Sequence, residues 1–177
     1  MSGIKPDLHG ADHPSWALHV VRSSQAGANY FVTGCLQRPS TGLTSVAIAG
    51  ALQAKPHALD LSGHWRLRTF VIMPDHFHLL FILGEAASLS TVLRRFKGPL
   101  TPVLRAHRLR WQENFYDHRL HAGEELLPVF LYIFLNPYRA GLAPADQKWP
   151  GYFCAADDWD WFGGLTNSAV PFPEWLM

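Results

Sequence analysis

The chain has 177 residues and a mass of 19.9 kDa, enough for one domain with a tail, and 48% apolar against 16% charged residues excludes a mostly disordered polymer. No apolar run approaches the roughly 18–20 residues of a membrane helix, and Lys5, Asp7, His9, Asp12 and His13 near the start argue against a signal peptide. The formal net charge is only +1, yet the stretch from Thr91 to His121 carries +5 and the remainder −4, a segregation compatible with a polyanion-binding face or with an ordinary solvated helix.

Residues 1–28 are rich in Gly, Ser, His and Pro, with one apolar patch at Trp16–Val21, and read as an extension. Tyr30–Leu36 is β-branched and aromatic and predicts a first strand. Gln37–Gly42 is a loop, Leu43–Ala54 a helix, and Lys55–Gly63 a break marked by Pro56 and Gly63. Trp65, Leu67, Thr69, Val71 and Met73 alternate as a second strand; Pro74-Asp75 turns the chain, and His76–Leu83 returns antiparallel as a third. Ser88 or Ser90 caps a helix carrying Leu89, Val92, Leu93 and Phe96, which Gly98-Pro99 should interrupt. Phe115–Leu120 reads as a short strand and Glu124–Leu135 as an apolar helix. Pro137 should end that helix, with Asn136-Pro137 starting a short second one. From Trp149 the chain reads as an irregular surface wrap. This order predicts an α+β fold, a ferredoxin-like or RRM-like antiparallel sheet with helices packed on it. Cys35 and Cys154 lie far apart without a CxxC, which fits free thiols in a reducing, cytoplasmic setting.

Two patterns carry chemistry. In His76-Phe77-His78, strand alternation sends both imidazoles to one face and Phe77 to the other, so one metal can be chelated; alone, the pattern is weak. In Tyr132–Asn136, a phenol and an amide sit one helical turn apart in an otherwise apolar segment. Taken singly, each has a bland reading, a core tyrosine and an asparagine capping the turn before Pro137. Together they make a site: a divalent metal held by His76, His78 and the Asn136 amide oxygen, beside the Tyr132 hydroxyl. A phenol is a poor nucleophile at neutral pH until a cation or base activates it, and a metal also orients a phosphodiester. With a cationic segment to hold a polyanion, these are the parts of a transesterification.

The residues that carry these patterns resemble a known family. Val71–His78, Leu89–Lys97, Trp111–His118, Tyr132–Leu142 and Trp149-Pro150, in that order, are similar to the HUH single-tyrosine transposases, specifically the REP-associated tyrosine transposases of bacteria. The likeness spans about residues 29–152, which the resemblance makes the catalytic domain, with 1–28 an N-terminal extension and 153–177 a tail. It implies that His76 and His78 are metal ligands, that Tyr132 attacks DNA to form a 5′-phosphotyrosine, and that Asn136 is a third ligand. It also implies Mg²⁺ or Mn²⁺, whereas two imidazoles alone would suit Mn²⁺, Ni²⁺ or Zn²⁺. The implied partner is single-stranded DNA with small hairpins from repetitive extragenic palindromes, met at the bacterial nucleoid by a monomer or homodimer. The chain departs from the family at Asp75, where Asn or Glu is usual; the turn role is preferred there over a metal-adjacent carboxylate.

Candidate phosphate contacts are Arg94, Arg95, Lys97, Arg105, Arg108 and Arg110, with Arg119 and Arg139 nearer the site. Trp111, Phe115 and Tyr116 are candidates for stacking on unpaired bases, although Phe115 serves equally as core. Tyr116 and Tyr138 are rival phenols without an amide four residues on. Two other classes stay open: a non-catalytic RRM-like binder of structured single-stranded DNA or RNA, and a small metalloenzyme, which would need a further ligand from Asp75, His118 or His121.

Overall fold

The computed structural model describes residues 24–165, so the readings on residues 1–23 and 166–177 fall outside it. Five strands, β1 (Asn29–Cys35), β2 (Trp65–Ile72), β3 (His76–Leu83), β4 (Tyr116–Arg119) and β5 (Tyr152–Cys154), form one sheet in the order β4-β1-β3-β2-β5. All neighbouring pairs are antiparallel. The helices are α1 (Val46–Leu61), α2 (Leu89–Ala106), α3 (Leu127–Arg139) and α4 (Ala156–Phe162), followed by a 3₁₀ turn at Gly163–Leu165. The α+β architecture is the one the element order predicts.

Strand alternation divides the interior in two. Phe77, Leu79, Phe81 and Leu83 of β3 enter a core with Ile48, Leu52 and Leu59 of α1 and Val92, Phe96 and Leu100 of α2. Leu80 points the other way, joining Phe130, Ile133, Phe134 and Leu135 of α3 and Phe162 of α4. His76 and His78 have the parity of Leu80, so they lie beneath α3. Gly34 is paired with Phe77 in the β1–β3 register, and a Cβ there would overlap the Phe77 ring.

Several local expectations are corrected. Pro56 does not break α1: it stands on the buried stripe Ile48, Leu52, Pro56, Leu59, where packing outweighs one missing backbone hydrogen bond. Its carbonyl accepts from the buried Trp65 indole at 2.9 Å. Gly98-Pro99 does not interrupt α2, because Pro99 and Pro102 sit on its exposed side and leave the stripe from Leu89 to Leu104 whole. Ser88 is the cap, its hydroxyl accepting from the Thr91 amide at 3.3 Å. Likewise α3 continues through Pro137 to Arg139 as one helix; it starts at Leu127, with Pro128 in its first turn, and Glu124 lies before it with its carboxylate engaged by His118 and His121.

β2 does not keep one alternation. A bulge between Leu67 and Thr69 shifts its parity, so Trp65, Leu67, Phe70 and Ile72 face the α1–α2 core while Val71 and Met73 face α3. Arg68 at the bulge turns inward, its guanidinium bonded to the Asp158 carboxylate and, at 3.0 Å, to Asn29 Oδ1. It lies 5.3 Å from the Phe130 ring centroid. The segment after Trp149 is therefore regular: β5 pairs with β2, and α4 is fastened by Asp158 and the fully buried Phe162.

Candidate active site

The β2–β3 turn delivers His76 at the first position of β3 and His78 two residues on, with ring centroids 4.7 Å apart. His78 is only 3% exposed; its Nδ1 lies 2.7 Å from Thr33 Oγ1 of β1, and its ring stacks on Phe31 at 5.4 Å. His76 Nδ1 lies 2.7 Å from Asp75 Oδ1, so Asp75 is both a turn residue and the carboxylate partner of a site histidine. From the facing helix α3, Tyr132 sets its ring edge-on to His78 at 5.0 Å and to Phe31 at 5.8 Å. One turn further, the Asn136 amide nitrogen reaches His78 Nε2 at 3.1 Å. Helical spacing thus aims two polar groups of an apolar helix at one imidazole.

Tyr132 is not sealed in the core, being 44% exposed. Its phenol pKa is raised above the usual value chiefly by desolvation, opposed by a hydrogen bond from Asn136 and by the charge of Arg139. At neutral pH it is a phenol rather than a phenolate and needs activation to attack.

The donor set suits a divalent cation. Two cis ligands of an octahedral ion at 2.0–2.1 Å stand about 3 Å apart, and the Asn136 amide and His78 Nε2 are 3.1 Å apart. Rotating the amide presents its oxygen in place of its nitrogen. Among the described residues, no group of three His, Cys, Asp or Glu is placed to hold a metal, so the amide is needed to complete the set.

Other side chains share this face. Thr33 is paired with both His78 and Tyr116, which places Tyr116, Thr33 and His78 in one row across the sheet. The Tyr116 ring lies 6.2 Å from Phe31, and its pKa is raised by burial and then by Asp117, Glu124 and Tyr132. Cys35 is directly opposite His76, its thiol pKa raised by burial and by Asp75. Thr33 and Phe31 were invisible as site residues in the sequence, since only the β1–β3 register brings them to the histidines. Tyr138 is mostly buried, its hydroxyl accepting from the Trp149 amide at 3.1 Å.

The basic residues do not converge on the phenol. Arg139, exposed in the last turn of α3, is near enough to act on Tyr132. Arg119 lies on edge strand β4, donating to Gln25 Oε1 at 3.2 Å. Arg94, Arg95 and Arg105 are exposed on α2, in the layer behind the sheet, with Arg95 against the His64 ring. Lys97 donates to the Gln112 carbonyl at 3.1 Å and lies 5.4 Å from the Trp111 ring, its pKa lowered by desolvation. Trp111 bridges to Leu36 and stands edge-on to Phe77 at 5.5 Å, on the α1–α2 side. Phe115 likewise packs against that core. Arg108 and Arg110 are exposed just past α2; the Arg110 carbonyl accepts from the Gln37 amide at 2.9 Å.

No family model matches the chain. A curated relative, the REP-associated tyrosine transposase of Escherichia coli (strain K12), is 24% identical over 110 residues, which are 58% of this chain. The alignment spans 66% of that relative, just under two thirds of its length. A solved structure described as the REP-associated tyrosine transposase bound to a REP hairpin superposes with a TM-score of 0.64, covering 76% of this chain and 81% of its own, at 23% identity. That likeness speaks for the fold. The sequence relative and the structural neighbour bear the same name, so this chain is similar to REP-associated tyrosine transposases in sequence over 110 residues and in fold over most of its length.

Proposed function

We propose that the protein is a single-stranded DNA endonuclease and strand transferase acting at hairpin-forming repeats. The observation that carries this reading is the meeting of Tyr132, Asn136, His76 and His78 on one face of the sheet. The relative's name and the hairpin in the neighbour's description support the substrate class.

In the proposed reaction the Tyr132 oxygen attacks the phosphorus of a phosphodiester. The Tyr132 O–P bond forms as the phenol loses its proton; the bond from phosphorus to the 3′ oxygen breaks, and that oxygen leaves with a proton as a free 3′-hydroxyl. The product is a 5′-phosphotyrosine. Since one phosphodiester replaces another, a 3′-hydroxyl can reverse the step without nucleotide hydrolysis. His76, His78 and Asn136 would hold Mg²⁺ or Mn²⁺, which when bound would polarise the phosphate and stabilise developing charge. Phe31 and His78 pack against the Tyr132 ring and fix its approach. Arg139 adds positive charge beside the phenol. A protein acting in this way on DNA would work at the nucleoid, in the cytoplasm.

The test is cleavage of a hairpin-flanked single strand labelled at either end, with Mn²⁺ or Mg²⁺ present. Wild-type protein should release a free 3′-hydroxyl strand and retain the 5′-phosphate strand through denaturing gels; Tyr132→Phe should bind the strand and leave it intact. Cleavage by Tyr132→Phe contradicts the assignment.

A further inference from the structure

The hydrogen bonds around the two imidazoles select a tautomer for each ring in its neutral form. The Asn136 Nδ2 that meets His78 Nε2 can only donate, so Nε2 is the acceptor and carries a lone pair. The proton of the neutral ring is then on Nδ1, which donates to Thr33 Oγ1 at 2.7 Å. For His76, the Asp75 carboxylate can only accept, so Nδ1–H donates to it, and in the neutral ring the lone pair is on Nε2. Two residues from different elements thus impose the same tautomer, the one that turns a lone pair at Nε2 toward a cation.

We infer that Thr33 is a positioning residue that sets the tautomer and ring angle of His78. This deepens the reading of the site as a metal-dependent nuclease centre and rests on it. Thr33 is suited to the role: it is nearly buried on the inner strand β1, and its register with His78 is held by the β1–β3 ladder. The imidazole is clamped against Phe31, so the hydroxyl meets Nδ1 without competition from bulk water. Removing the oxygen leaves a buried Nδ1–H without an acceptor, which favours the other tautomer, with the Asn136 amide turned over to accept from Nε2–H, where the proton would block a metal.

Two readouts test this. In metal-free protein labelled with ¹⁵N-histidine, long-range ¹H–¹⁵N spectra should show His78 protonated at Nδ1 and bare at Nε2. Thr33→Val, which keeps the shape without the oxygen, should shift protonation toward Nε2, and Thr33→Ser should restore the wild-type pattern. Calorimetric titration with Mn²⁺ should show affinity about 10–100-fold weaker for Thr33→Val, the usual loss on removing an outer partner of a metal-bound histidine, and near wild type for Thr33→Ser. Wild-type ring shifts and Mn²⁺ affinity in Thr33→Val overturn the proposal, as does equal loss in the serine variant, which would mark packing rather than the oxygen. A wild type that binds no Mn²⁺ would sink the metal reading itself, while the ring shifts, read without metal, still decide the role of Thr33.

Discussion

At the level of single residues, the site is a phenol and an amide on one helix turned toward two imidazoles on one strand. His78 is the hub: Thr33, Asn136, Phe31 and Tyr132 all touch it, and it is almost fully buried. His78→Ala should abolish cleavage while leaving hairpin affinity within about twofold, because the ring is almost fully buried and offers little surface to a ligand; comparable losses in both would favour a binding module. The Gly34–Phe77 contact makes a separate prediction. Gly34→Ala should destabilise the fold by roughly 1–3 kcal/mol through overpacking, seen as a lower urea midpoint with unchanged slope. The pairs His76/His78 and Tyr132/Asn136 were legible in the sequence because each is local, set by the period of a strand or a helix. Thr33 and Phe31 were not, because their part in the site depends on register between strands more than forty residues apart. The carboxylate role of Asp75 was visible as an option and lost to the turn reading; the structure shows the two are compatible.

At the level of elements, the prolines and the bulge carry the lesson. Pro56, Pro99 and Pro137 all read as breaks, and all three lie inside helices whose buried stripes outweigh one lost backbone bond. The bulge at Arg68 was hidden because an alternating pattern continues through it while the face it marks changes. Its consequence is the attachment of α4, whose Asp158 is 2% exposed against the buried Arg68 guanidinium. Asp158→Ala leaves that cation uncompensated and should cost about 3–5 kcal/mol, measurable by chemical denaturation; a loss under 1 kcal/mol would mean α4 is fastened by Phe162 alone. β5 gives a pH prediction. Burial pushes the Cys154 thiol up to about 12 from the ordinary 9.0, so the folded state favours the neutral form. Its contribution is complete below pH 9 and fades as pH rises toward 12. Between those limits the wild-type midpoint should fall more steeply than that of Cys154→Ala; parallel curves would refute this.

Across the whole molecule, charge and chemistry are divided by the sheet. The sequence concentrates cations between Thr91 and His121, but chain position alone does not tell that α2 packs behind the strands that bear the histidines. Arg94 and Arg105 therefore should act on DNA affinity without acting on the chemical step. Their joint replacement by Ala should reduce the salt dependence of binding by about one unit of slope per lost phosphate contact, with the cleavage rate at saturating DNA unchanged. Arg139→Ala should instead slow cleavage at saturation, since its charge favours ionisation of Tyr132. Exchange of these two outcomes would mean that DNA reaches the phenol by way of α2. The measurement that bears most directly on the account is peptide mapping by mass spectrometry of the covalent complex formed with a hairpin-flanked strand. A nucleotide 5′-phosphate is expected on the peptide containing Tyr132; its attachment to Tyr116, or cleavage with no adduct on any tyrosine, would overturn the assignment of the nucleophile.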